Sequence, residues 1–189
     1  MRHFSVRPAI TLKGRKFKGL RGWAGKPFHP PLTDFPIVAY VFAAAFDVIS
    51  VYGGRDHDYA YDFWHAAAYV LVGGVVVSLL AALTGFIDWL RSSEPGTQAR
   101  RTVNTHATIM ITVSVLAVVD MVLHLRGYHT HYSTPVGVVV LSVVIAGLVS
   151  LGATYGGTLV FDYGFNVETA GDSPVWQKSE TDVRPGEEH

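Results

Sequence analysis

Two stretches of this chain, 69–86 and 135–160, contain no charged residue, and each is long enough as a helix to cross most or all of a lipid bilayer. They belong to four apolar runs, 35–52, 63–90, 103–125 and 136–161. Roughly 20 helical residues span about 30 Å of hydrocarbon. A soluble bundle of buried helices would carry polar stripes at helical period, and the two uncharged stretches carry none. The runs therefore predict an all-α fold: a polytopic membrane protein whose core is an antiparallel four-helix transmembrane bundle.

Composition narrows the functional classes. The 189 residues are 49% hydrophobic and 16% charged, too apolar for an intrinsically disordered chain, and a net charge of zero argues against a nucleic-acid partner. With no cysteine there is no disulfide, no thiolate metal or iron–sulfur site, no thioether-linked haem and no cysteine-linked lipid. Any metal must be held by His, Asp, Glu or backbone oxygen. The chain has no glycine-rich phosphate loop, no Gly-x-Ser-x-Gly elbow and no His-Glu-x-x-His helix, so no catalytic motif marks it as an enzyme. Gly53-Gly54 and Gly156-Gly157 read as a loop and a helix end.

The zero net charge is a cancellation between separate regions. Of 15 Lys and Arg, eight lie in residues 1–34, three in 91–101 and two in the tail, against only Arg55 and Arg126 between the runs on the other face. The positive-inside rule then places both termini in the cytoplasm of a bacterial inner membrane. Three parts follow: a basic cytoplasmic or interfacial leader, 1–34; the transmembrane domain, 35–161; and an acidic cytoplasmic tail, 162–189. The leader interleaves Phe17, Leu20, Trp23 and Phe28 with its bases, which suits either an interfacial segment on anionic lipid or a solvated orientation signal. It shows no small-residue cleavage site, so the first span is expected to stay attached. The tail is either flexible or held by a partner.

Small residues repeating every three or four positions let helices approach closely in lipid. Such stripes run through Gly74, Ser78, Ala81 and Gly85, through Ser142, Ala146, Ser150, Ala153 and Gly157, and through the run 43–45. They predict tight packing, with connecting loops of about ten residues.

The polar residues within the runs carry the functional content. At 100° per residue, His106, Val113, Ala117, Asp120 and His124 share one helix face. Asp120 and His124 should sit at the depth of Asp47 on the first helix, forming an outer group of Asp47, Asp120 and His124. That group suits a proton relay or a divalent metal; alternatively the two carboxylates are protonated or paired with Arg126. An inner group contains His29, Asp34, Asp88, Trp89 and His106, near the cytoplasmic interface. His29 and His106 come from different segments and can clamp a b-type haem, hold a quinone head group or cap helix ends, with Asp88 and Trp89 around them. His29 precedes Pro30 and is expected to be extended. His65, level with His124, is a weaker candidate for a second haem pair, because its face lies opposite the Gly74–Gly85 stripe.

Four segments together resemble one family: 29–36 (HPPLTDFP), 81–88 (AALTGFID), the Arg101 and His106 pair, and 156–161 (GGTLVF). In order and spacing, over residues 27–168, they are similar to the DUF2231 family of bacterial four-helix membrane proteins. The resemblance implies a membrane segment associated with Rieske-type or other redox proteins. Many members carry a second histidine before the Phe-Pro, where this chain has Asp34, so no ligand role passes to that position; His29 and His106 match.

The sequence thus favours an accessory membrane subunit of a redox or respiratory-type electron-transport assembly, with haem b or quinone between His29 and His106. A cofactor-free structural or assembly subunit is the alternative, and an outer-facing proton or metal pathway through Asp47, Asp120 and His124 ranks third. The expected partners are the lipid bilayer and other membrane or redox protein subunits.

Overall fold

The computed structural model describes Leu20 and residues 27–165. In it the four apolar runs are four helices: α1 (His29–Gly53), α2 (Tyr59–Ser92), α3 (Gln98–Gly127) and α4 (Val136–Phe161). All four are long and apolar enough to cross a membrane. Apart from Leu20, residues 27–34 and residues 162–165, the expected leader and tail lie outside the described residues.

The first helix departs from the sequence expectation. His29 is helical rather than extended, because Pro30 and Pro31 occupy the first turn of α1. There the missing proline N–H has no intrahelical partner to lose, and the fixed proline φ suits a helix start. The connections, 54–58, 93–97 and 128–135, are shorter than the expected ten residues because α1 to α3 continue beyond their apolar runs into polar sequence. Gly54 ends α1 and Gly96 lies just before α3, both at positive φ, 58° and 83°. Thr97 then caps α3, its hydroxyl accepting from the Arg100 N–H at 3.1 Å.

The helices form an antiparallel ring in which α1 and α3 each pack against α2 and α4. One end carries the chain's entry into α1, the α2–α3 turn and the exit from α4, and is called here the terminal end. The other carries the connections 54–58 and 128–135, and is called the loop end. Tyr40, Ala43, Leu71, Val75, Val113, Ala117, Ile145 and Val149 make the apolar centre.

The α2 stripe is a close-packing face, as the sequence predicts, and the helix it meets is α1: a Cβ on Gly74 would come within 2.8 Å of Ala39 and 2.9 Å of the Tyr40 ring. The α4 stripe does not hold. Ser142 is buried, but Ser150 is exposed and returns its hydroxyl to the Ala146 carbonyl at 2.8 Å, leaving no need for an inward partner. The buried face of α4 is Val138, Ser142, Ile145, Val149, Gly152 and Leu159. Gly152 supplies the close approach there, beneath Met110 of α3.

Outward, Leu79, Leu80, Leu83, Ile111, Val115, Val140 and Val144 are exposed, as a lipid-facing surface requires. Tyr52, Tyr59, Tyr61, Tyr69 and Tyr132 are exposed toward the loop end, and Phe28, Phe161 and Tyr163 at the terminal end. Aromatic side chains at both ends of the spans match the belts that sit at membrane–water interfaces.

Candidate functional site

Two polar centres lie at opposite ends of the bundle. At the loop end, Asp47, Asp120 and His124 are each 0% exposed. Asp47 lies six residues before the end of α1, about 9 Å inside it. The helical period brings Asp120 and His124 of α3 onto the inward face, and a direct side-chain contact crosses the ring: His124 Nε2 lies 3.1 Å from Asp47 Oδ1. His124 Nδ1 is 3.0 Å from the Asp120 backbone carbonyl and 3.3 Å from its Oδ1.

The other elements close around this contact. Thr134, just before α4, donates its hydroxyl to Asp47 Oδ1 at 3.0 Å, and its backbone N–H donates to Ser50 Oγ at 2.9 Å. Ser50 donates in turn to the Ala60 carbonyl on α2 at 2.7 Å. The indole of Trp64 stacks on the His124 ring, 4.4 Å between centroids and 17° between planes. Asp47 Oδ2 and both carboxylate oxygens of Asp120 are buried without a hydrogen-bond partner. Arg126 is exposed and is not their partner.

The surrounding loop residues form an outer rim. His57 Nδ1 donates to the Gly53 carbonyl at 3.2 Å, and Tyr132 donates to Asp58 at 2.6 Å. That bond holds the Tyr132 hydroxyl above its ordinary pKa, because it stabilises the protonated phenol beside a carboxylate. The Tyr128 hydroxyl, bonded to that of Tyr69, is pushed up to about 12. His65 is turned toward this rim, bonding the Tyr61 carbonyl at 2.8 Å and meeting Tyr128 edge-on. The two nitrogens of His124 face Asp120 and Asp47.

At the terminal end, His29 and His106 are anchored alike. His29 Nδ1 bonds the Ala81 carbonyl of α2 at 2.9 Å, and His106 Nδ1 bonds the Gly152 carbonyl of α4 at 2.9 Å. A carbonyl only accepts, so each Nδ1 carries a hydrogen, and in the neutral ring Nε2 keeps its lone pair. Each ring also rests against a glycine: a Cβ on Gly85 would lie 2.6 Å from the His29 ring, and one on Gly156 3.2 Å from that of His106. Gly156 and Gly157 are thus inside α4, not at a helix end. The glycines are needed because the imidazoles take the space a side chain would fill.

Asp88 and Trp89 take other partners. Asp88 accepts from the Leu20 N–H at 2.8 Å, tying the incoming chain to α2. Trp89 Nε1 donates to Asn104 at 2.9 Å, and the Arg100 guanidinium lies 4.3 Å over its ring. Trp89 thus joins α2 to α3 beside the turn, and neither Asp88 nor Trp89 hydrogen-bonds to either histidine.

Sequence reasoning found the carboxylates and histidines by depth and helical face. It missed Thr134, which reaches the loop-end centre through loop geometry, Ser50, on the inward face of α1 close to Asp47, and Trp64, an aromatic in an apolar run.

A family model described as "Predicted membrane protein (DUF2231)" matches residues 25–169. No curated protein and no solved structure matches the chain.

Proposed function

The chain belongs to the DUF2231 family of predicted membrane proteins, and from that premise we propose that it is an accessory subunit of a membrane redox assembly, holding a b-type haem between His29 and His106. The observation that carries this reading is the matched anchoring of the two imidazoles. Each Nδ1–H is spent on a backbone carbonyl of a neighbouring helix, leaving Nε2 directed away from that bond. Ligand histidines are held in this way, because the second bond fixes tautomer and ring plane and makes the ligating nitrogen more basic. The two histidines also sit on α1 and α3, the helices that face one another across the ring rather than neighbouring each other. A b-type haem held there supplies one-electron transfer. The chain itself supplies two fixed nitrogens, glycine seats for their rings and, near that level, the buried apolar side chains of Val103 and Leu159. Partner redox subunits in the same bilayer deliver or remove the electron.

The distribution of bases supports placing the terminal end in the cytoplasm of a bacterial inner membrane, since 13 of the 15 fall in segments on that side.

An optical spectrum of the purified protein tests the haem. A Soret band at about one haem per chain is expected, with loss of that band in His29→Ala and in His106→Ala while the chains still purify as folded helical proteins. Wild-type protein without absorbance in that region, and without haem on extraction, would overturn the reading. A quinone recovered in its place would be one such outcome.

A further inference from the structure

The loop-end centre is remote from the histidine pair, and its chemistry stands independently of the haem reading. We infer that Asp47, Asp120 and His124 form a binding site for one divalent cation of borderline hardness, the Zn²⁺ or Mn²⁺ class. One ligand atom from each of the three side chains lies within 4.8 Å of the others, and all three side chains are buried.

Hydrogen bonding determines which atoms are available. The Asp120 carbonyl accepts from His124 Nδ1 at 3.0 Å, so Nδ1 carries a hydrogen. In the neutral ring, Nε2 then points a lone pair at a carboxylate oxygen 3.1 Å away. Two acceptors facing each other need a positive centre between them. A proton on Nε2 would serve Asp47 Oδ1, an atom already served by the Thr134 hydroxyl. It would leave Asp47 Oδ2 and Asp120 Oδ2 buried without a hydrogen-bond partner, and Asp120 Oδ1 facing only the Nδ1 already bonded to the Asp120 carbonyl.

A dication compensates both carboxylates, where a single proton compensates one. Its two charges match two ionised carboxylates, it takes one oxygen from each, and it accepts the Nε2 lone pair. Ligand bonds of about 2.0–2.2 Å at tetrahedral to octahedral angles set neighbouring ligand atoms roughly 2.8–3.6 Å apart. The observed 3.1 Å between Nε2 and Oδ1 is such a spacing. Two carboxylates and one imidazole suit a borderline metal rather than a soft one. Further polar groups hold the ligands in place: Nδ1–H on the Asp120 carbonyl, Thr134 on Asp47, and the Trp64 face against the imidazole.

Equilibrium dialysis of the full-length protein against Zn²⁺, and separately Mn²⁺, with metal counted by mass spectrometry, tests the site. One tight equivalent per chain is expected for at least one of the two metals. Asp47→Asn and Asp120→Asn keep side-chain shape, so a folded bundle is expected, with affinity reduced by more than about a hundredfold. Asp58→Asn and His129→Ala, on the exposed rim, should bind as wild type does. No tight equivalent in the wild-type protein would overturn the inference whatever the variants do, and so would a metal lost in the rim variants but retained in the Asn variants. Proton uptake at this centre without metal is the first of these outcomes. Haem content, read from the same samples, should be unchanged in the Asn variants, so this test and the haem test fail separately.

Discussion

The imidazole of His124 is held by side chains from two other helices as well as by its own, and its loss leaves two carboxylates in an apolar interior. Removing one member of a buried charged group costs roughly 3–5 kcal/mol, because the remaining charge has no solvent to return to. His124→Ala is therefore expected to lower unfolding stability by about that much in detergent–lipid micelles, measured by denaturant titration of the helical signal. A loss below about 1 kcal/mol would show that the centre is not a coupled group. The sequence made this residue legible: His106, Asp120 and His124 recur at helical period, and depth paired Asp120 and His124 with Asp47. Trp64 and Thr134 were not legible, because a stacked indole looks like core in sequence, and a loop hydroxyl becomes inward-facing only through the path from 128 to 135. The inner histidines were legible as a pair, whereas the glycines beneath them were not, since a small-residue stripe does not say what rests on it.

At the scale of the helices, close approach is set by single missing side chains. Gly74 admits Ala39 and Tyr40 of α1 into contact with the α2 backbone. Gly74→Val would force the two helices apart, at a cost of about 1–3 kcal/mol from overpacking. A lower midpoint in thermal unfolding of the solubilised protein checks this; an unchanged midpoint would mean that α1 and α2 are not held by that contact. Helix number and register on α1 to α3 were readable from the apolar runs, because membrane spans advertise their length. The packing face of α4 was not, because that helix is apolar all round and periodicity has nothing to select. Small residues alone suggested Ser150 and Gly157, but Met110 settles instead on Gly152. The start of α1 was likewise misjudged from local rules: the effect of Pro30 on His29 yields to the preference of two successive prolines for a first helical turn.

For the whole molecule, polarity across the bilayer is the property with the widest consequences, and the absence of cysteine makes it directly measurable. A single cysteine placed at His129, in the connection between α3 and α4, is expected to react with a membrane-impermeant maleimide applied to intact cells. One placed at Gly96, between α2 and α3, should react only after lysis, and the reverse pattern would invert the orientation. The contact between Asp47 and His124 also bears on how the protein is made. The α1–α2 hairpin is synthesised first and carries Asp47, yet its imidazole partner, and the Thr134 hydroxyl that completes the contact, belong to the second half. The carboxylate of the first hairpin therefore has its hydrogen-bonding partners only once the second half of the chain has been made.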